Sequence, residues 1–349
     1  MQTIYSNAHR LHDVSVELNR GHAVPAFENP GRADAVLIAL AQAGLGPLEL
    51  ASEFAIEHAF AVHDGDFVRF LRDVHDESQA LGRTGLLQPV CAPGRALRTD
   101  RIPASLDGRL SYYCFDNCTS ITSGTWSAAK ASLDVALTAA EVVASRRDEA
   151  AFGLCRPPGH HAGRGSYGGY CFLNNAAVAA QYLRKRGADR VTVLDVDYHH
   201  GNGTQGIFYD RADVQFVSIH ADPATDYPYF LGYADEQGMG AGVGYNHNLP
   251  LPRGAGWSAW SAALDVACAR IEQFDPDALV VSLGVDTYKD DPLASFTLET
   301  ADYLRVGGRI ARLRRPTVFL LEGGYAIDAI GANVANVLRG HAGGAGPRA

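Results

Sequence analysis

The chain has 349 residues, of which 47% are hydrophobic and 20% charged, a composition that fits well-cored α/β structure and leaves out disordered or low-complexity classes. The formal net charge is −9 with no basic block, which argues against nucleic acid and anionic membranes as partners. No apolar stretch reaches the roughly 18 residues that a membrane span needs, and Met1–Tyr5 lacks a basic region followed by an apolar one, so a cytoplasmic protein is expected.

In chain order, β-rich apolar runs and helical periodicities predict a strand over Gln2–Ser6 and helices over Arg32–Ala43, Asp66–Ala80 and Thr125–Ser145. There follow a strand over Ala151–Cys155, a helix over Asn175–Arg186, and strands over Val191–Asp197 and Val214–His220. The last elements are a helix over Trp257–Phe274, a strand over Ala278–Val285, a helix over Ala301–Leu313, a strand over Thr317–Glu322 and a helix over Ala329–Arg339. Asn174 or Asn175, Ser123 and Thr300 are plausible caps, and Gly187 ends its helix. The alternation predicts an α/β fold in which helices cover both faces of a parallel sheet.

No repeat or linker divides the chain, so residues 1–340 are expected to form one domain, followed by a flexible tail from His341 to Ala349. The segment Leu81–Gly124 is rich in Pro, Gly, Arg and Tyr and shows little periodicity. A loop of that length predicts a role in shaping a site or pairing subunits. The six cysteines form no Cys-x-x-Cys pair and read as reduced thiols; Cys114 and Cys118 share a loop, which leaves a local metal or redox role as an alternative.

Chemistry-bearing residues collect in five islands where strands should end, the usual place of a ligand crevice. They are Arg156–Gly163 with His160 and His161, Asp195–Gly203, Ser218–Asp222, Ser282–Thr287, and Leu321–Tyr325. Alternation along a strand puts Asp195, Asp197 and His199 on one face. Two carboxylates and an imidazole converging there are costly without a positive partner, which points to a divalent metal and a metallohydrolase. His160 and His161 are adjacent, so both rings could hardly bind one metal without strain.

The islands resemble the histone deacetylase superfamily of zinc-dependent amidohydrolases, and the early Glu28-Asn29-Pro30-Gly31-Arg32 matches its Glu-x-Pro-x-Arg pattern. The closer resemblance is to bacterial acetylpolyamine amidohydrolases, carried by Tyr112-Tyr113-Cys114, Gly168–Asn175 and Phe230-Leu231-Gly232-Tyr233. It implies an arginase/deacetylase-like single domain with a central parallel sheet of about eight strands and a long loop insertion. It further implies zinc ligands at Asp197, His199 and Asp286, a set that suits a catalytic zinc with an open position.

By the same resemblance, His161 is the general base and then acid, His160 backed by Asp195 stabilises charge, and Tyr325 donates to the oxyanion. Asn202 stands where many relatives carry an acid, and a neutral amide there leaves His161 neutral. Gly169, Tyr170 and Tyr227 resemble channel residues around the substrate stem. Asp195, Ser218 and Ile219 resemble a monovalent-cation site, taken as potassium; Phe208, Arg211, Val214 and Tyr245 resemble a second.

The 81–124 insertion resembles the one that narrows the channel and supports a homodimer, with Asp107 and Asp116 as rim acids for distal ammonium groups. Few other acids lie in that segment, which favours acetylputrescine or acetylcadaverine over longer acetylated polyamines such as acetylspermidine. The alternatives are a protein acetyl-lysine deacetylase, a binuclear arginase-like enzyme and a non-catalytic acyl-group binder. The second needs more Asp and His ligands than this set provides. The third is expected to lose Tyr325 or a histidine of the pair.

Overall fold

The structure, a computed structural model, describes residues 1–92, 97–145 and 150–344. In chain order the elements are β1 (Gln2–Tyr5), β2 (Val16–Asn19), β3 (His22–Pro25), α1 (Gly31–Ala43), β4 (Leu48–Leu50), α2 (Gly65–Ala80), α3 (Leu106–Tyr113), α4 (Thr125–Ser145) and β5 (Ala150–Gly153). There follow α5 (Asn175–Lys185), β6 (Val191–Asp195), α6 (Asn202–Phe208), β7 (Val214–Ala221), β8 (Asn246–Leu251) and α7 (Trp257–Phe274). The chain then runs through β9 (Ala278–Leu283), α8 (Thr300–Ala311), β10 (Thr317–Leu321) and α9 (Ile327–Gly344).

Eight strands form one sheet in the order β4-β1-β5-β10-β9-β6-β7-β8, and every neighbouring pair is parallel. Both faces are covered, which is why the strands read as continuous apolar runs rather than alternating ones. Ala151, Val191, Val193, Val280 and Val318 pack into a core on one face, with α2, α4 and α5. Phe152, Leu194, Leu279, Val281 and Phe319 alternate to the other face, against α1, α7, α8 and α9. Glycine lets α8 and α9 approach closely: a Cβ on Gly307 would lie 1.9 Å from the Val337 carbonyl oxygen.

The α/β architecture and the sheet of eight parallel strands agree with expectation, and several local readings change. β6 ends at Asp195 and β9 at Leu283, so Asp197, His199 and Asp286 lie in the loops beyond the strands. Their convergence is therefore made by loop conformation, not by strand alternation. The 81–124 segment carries α3 and an antiparallel bridge between Leu87 and Ile121; Ser105 caps α3 by accepting from the Gly108 N–H. The tail is shorter than expected: α9 runs through Gly344 and His341 is buried, while residues 345–349 lie outside the described residues.

The β2–β3 hairpin was not foreseen either. Its turn is Arg20-Gly21, both at positive φ (50° and 83°), the two-residue geometry that matches the twist of paired strands.

Candidate active site

Loops at the carboxyl ends of β5, β6, β9 and β10 meet in one place. The loop after β5 carries His160 and His161, and Glu322, at the end of β10, fixes it. Glu322 Oε2 accepts from the Gly159 N–H (2.6 Å) and the His160 N–H (3.1 Å), while Oε1 accepts from Ser282 Oγ at 3.2 Å. From the other side, the Gly203 and Thr204 N–H groups at the start of α6 donate to the His160 carbonyl. The loop thus leaves few backbone groups to choose another conformation.

Behind this loop stands His63, which no sequence signal marked. Its Nδ1 lies 2.7 Å from the Gly163 carbonyl oxygen, and its Nε2 accepts from the Asn174 N–H at 2.9 Å. That pattern uses one donor and one acceptor, so the ring is neutral; burial lowers its pKa to about 4.

His160 Nδ1 lies 3.0 Å from Asp195 Oδ2, and its Nε2 lies 3.9 Å from Asp197 Oδ1. Burial opposes charge on this ring, but Asp195, then Asp197 and Glu322, outweigh it and carry its pKa up to about 10. His161, whose ring centroid is 4.0 Å away, differs: Nδ1 lies 2.7 Å from Asn202 Oδ1. Burial first, then the charges of His160 and His199, push it well below the ordinary histidine range. Two adjacent imidazoles are thereby driven apart, one toward the cation and one toward the free base.

Asp197, His199 and Asp286 bring one ligand atom each within 4.8 Å of one another. His199 Nδ1 is 3.0 Å from Asp286 Oδ2 and 3.3 Å from Asp197 Oδ1. The remaining lone pairs are held: the Gly323 N–H donates to Asp197 Oδ2, and the Tyr198 N–H to Asp286 Oδ1. Gly323 and Gly284 are needed for this approach, since a Cβ on either would fall within 2.5 Å of a carboxylate oxygen of the cluster.

Both carboxylates are fully buried, and burial pushes Asp286 up to about 7. The carboxylates in turn raise His199 to about 10 against its own burial, so the cluster demands positive charge. Three N and O donors from loop backbones that other residues hold in place fit a catalytic zinc with an open position. A second group of potential donors, His160, Cys171 and Glu322, differs. Glu322 is already occupied as above, and Cys171 Sγ donates to the Gly169 carbonyl.

His161, His199 and Tyr325 face one cleft of about 430 Å³, whose lining also includes Gly169, Tyr170 and Tyr227. Gly169 must be glycine: its φ is +56°, and a Cβ would lie 2.2 Å from the His161 ring. Tyr325 is held by the Asp291 carboxylate, which accepts from its N–H at 2.7 Å, and its ring stacks 4.7 Å from the Arg32 guanidinium. Arg32 also donates to the Gly324 and Glu322 carbonyls and to Glu28, which in turn pairs with Arg156. The Glu-x-Pro-x-Arg pattern therefore braces the loop of Tyr325 from below.

The two rim acids fare differently. Asp116 lies in the cleft wall but accepts from the Gly169, Cys118 and Thr119 N–H groups and from the Thr119 and Tyr227 hydroxyls. It shapes the channel, and few lone pairs remain for a ligand. Asp107 is a correction: it sits at the start of α3, exposed and paired with Arg83, and does not line the cleft. The acid that sequence reasoning missed is Glu17 on β2, in the cleft wall, with Oε1 accepting from the Tyr170 hydroxyl at 2.8 Å. A hairpin that covers a site has no periodic signature, so nothing in the sequence marked it.

Of the expected cation ligands, Asp195 and Ser218 are direct partners across β6 and β7, with Ile219 next along β7. Phe208 ends α6, Arg211 follows it, Val214 opens β7 and Tyr245 precedes β8.

The model of the histone deacetylase domain matches residues 26–341. The chain belongs to the histone deacetylase family. It is 55% identical to acetylpolyamine amidohydrolase 1 of Pseudomonas aeruginosa over 99% of this chain and 100% of that one. It is 46% identical to the acetylpolyamine amidohydrolase of Mycoplana ramosa over 98% of this chain and 100% of that one. The crystal structure of the acetylpolyamine aminohydrolase from Burkholderia pseudomallei superposes with a TM-score of 0.91 at 40% identity, covering 97% of this chain and 98% of that one. The family is zinc-dependent, and this chain is a hydrolytic deacetylase acting on amide bonds. None of the described helices is long and apolar enough to cross a membrane.

Proposed function

We propose that the chain removes acetyl groups from acetylated diamines and short polyamines. The observation that carries this reading is the single cleft in which His161, His199 and Tyr325 stand together between aromatic walls. Such a slot admits a slim acylated amine and disfavours a lysine embedded in folded protein. The names of the relatives above agree with that choice.

Asp197, His199 and Asp286 would hold the zinc, which would supply Lewis acidity toward the amide carbonyl and the attacking water. His161 Nε2 takes the proton of the attacking water and returns it to the leaving amine, with Asn202 holding the tautomer through Nδ1. His160, kept cationic by Asp195, stabilises negative charge in the transition state. Tyr325 donates its hydroxyl to the developing oxyanion, a contribution of roughly 2.7–4 kcal/mol per donor. Tyr170 and Tyr227 enclose the aliphatic stem and Glu17 faces its far end.

The same reading includes structural potassium at Asp195, Ser218 and Ile219, and a second site at the carbonyls of Phe208, Arg211, Val214 and Tyr245. It also includes a cytoplasmic homodimer. Val90, Leu97 and Ile102 of the insertion and Phe230 beyond β7 are exposed apolar side chains that pairing would cover. Steady-state kinetics of the zinc-loaded protein on acetylputrescine, acetylcadaverine, acetylspermidine and an acetyl-lysine peptide test the substrate reading. Turnover highest on the diamines supports it, and highest on the peptide overturns it.

A further inference from the structure

The outer wall of the cleft does not carry the charge that a polyamine would select. Its ionic side chains, apart from the two histidines, are Glu17, Asp116, Arg20 and Arg253. The carboxylates are committed inward. Asp116 is ringed by donors of its own loop and by the Tyr227 hydroxyl. Glu17 is buried, and its two oxygens accept from the Tyr170 hydroxyl and the Phe27 N–H.

The guanidiniums are exposed. Arg20 is the tip of the β2–β3 hairpin, exposed, and has no carboxylate within ion-pair distance among the described residues. Arg253 is 54% exposed and reaches Asp226 at 3.3 Å. Asp226 also accepts from the Tyr198 hydroxyl and Thr225, so it is a shared partner. An open mouth carrying two guanidiniums repels a second or third ammonium and offers a fork that matches a carboxylate.

We infer that the enzyme also takes ω-acetamido carboxylic acids, linear acetylated amines whose far end is a carboxylate recognised by Arg20 and Arg253. This rests on the amidohydrolase reading of the same site. The reaction is the same hydrolysis: the water oxygen bonds to the acetyl carbon, the C–N bond breaks, and the nitrogen takes a proton. The products are acetate and a free ω-amino acid.

The test is kcat/KM of the zinc-loaded enzyme on 4-acetamidobutanoate, 6-acetamidohexanoate, acetylputrescine and the uncharged N-butylacetamide. The same series is run on Arg20→Gln, Arg253→Gln, the double variant and Arg253→Lys. The expected result is faster cleavage of at least one carboxylate substrate than of N-butylacetamide. That preference should fall about fivefold in the double variant, shrink with added salt, and partly return in Arg253→Lys. Wild-type enzyme that cleaves acetylputrescine but favours neither carboxylate over N-butylacetamide overturns the inference alone. So does an unchanged preference in the double variant. Failure on all four acetamides overturns the underlying reading as well.

Discussion

His161 Nδ1 and Asn202 Oδ1 lie 2.7 Å apart, whereas the neighbouring His160 Nδ1 lies 3.0 Å from a carboxylate, Asp195 Oδ2. An amide oxygen accepts the Nδ1 proton without stabilising a second charge, so this one difference in partner separates the duties of two adjacent rings.

Asn202→Asp should therefore damage catalysis in a defined direction. A carboxylate behind His161 raises its pKa, and the base is lost as pH falls through that value, so the acidic limb of the kcat/KM profile should move to higher pH by about one unit or more. An unshifted limb would speak against His161 as the base. His161→Ala should lower kcat by about 10²–10⁴-fold with zinc still bound, measured by metal analysis of the same sample.

Tyr325→Phe should lower kcat by about 10²–10³-fold and leave KM nearly unchanged, because the hydroxyl is proposed to act on charge that develops only in the transition state. Intact kcat would return Tyr325 to a packing role against Arg32 and Tyr170.

Much of this chemistry was legible because strands of a doubly covered parallel sheet are apolar until they leave the core. His160, Asp197, Asp286 and Tyr325 stand just past runs such as Val191–Leu194 and Thr317–Leu321. What stayed hidden lacks that contrast. β8 reads Asn-His-Asn-Leu-Pro-Leu, β4 has three residues at a sheet edge, and α6 carries Gly203 and Gly206, so none shows a period. Tertiary pairing alone decides partners: Arg83 claims Asp107 and removes it from the rim, while a hairpin brings Glu17 to the cleft. Loop 156–163 is held by Glu322 and His63, whose partners in it are backbone groups that no pattern marks.

His63 gives a pH test of that support. Its pKa is about 4 in the folded chain against an ordinary 6.5, so below pH 6.5 the unfolded chain binds a proton that the folded chain refuses. Its stabilising contribution should be full above pH 6.5 and decline toward pH 4 by roughly 1.4 kcal/mol per pH unit. In urea unfolding, the stability difference between wild type and His63→Gln should shrink from pH 8 to pH 5. A difference independent of pH would contradict the neutral, doubly bonded ring.

The Glu28, Arg32 and Arg156 cluster is buried, with Glu28 2% exposed. Burial opposes charge on Glu28, but Arg156 and Arg32 outweigh it and hold its carboxyl below the ordinary range. Glu28→Gln should leave two guanidiniums without their counter-charge and cost about 3–5 kcal/mol in urea unfolding. A loss under 1 kcal/mol would show that the carbonyls around Arg32 and Arg156 suffice.

The most direct test of the metal centre is zinc titration into chelator-stripped protein, read by metal analysis and acetylputrescine hydrolysis together. The wild-type chain should bind one zinc and regain activity in proportion, and Asp286→Ala should do neither while keeping its fold. Full hydrolysis by the stripped wild-type chain, or one tightly bound zinc in Asp286→Ala, would contradict the assignment of Asp197, His199 and Asp286.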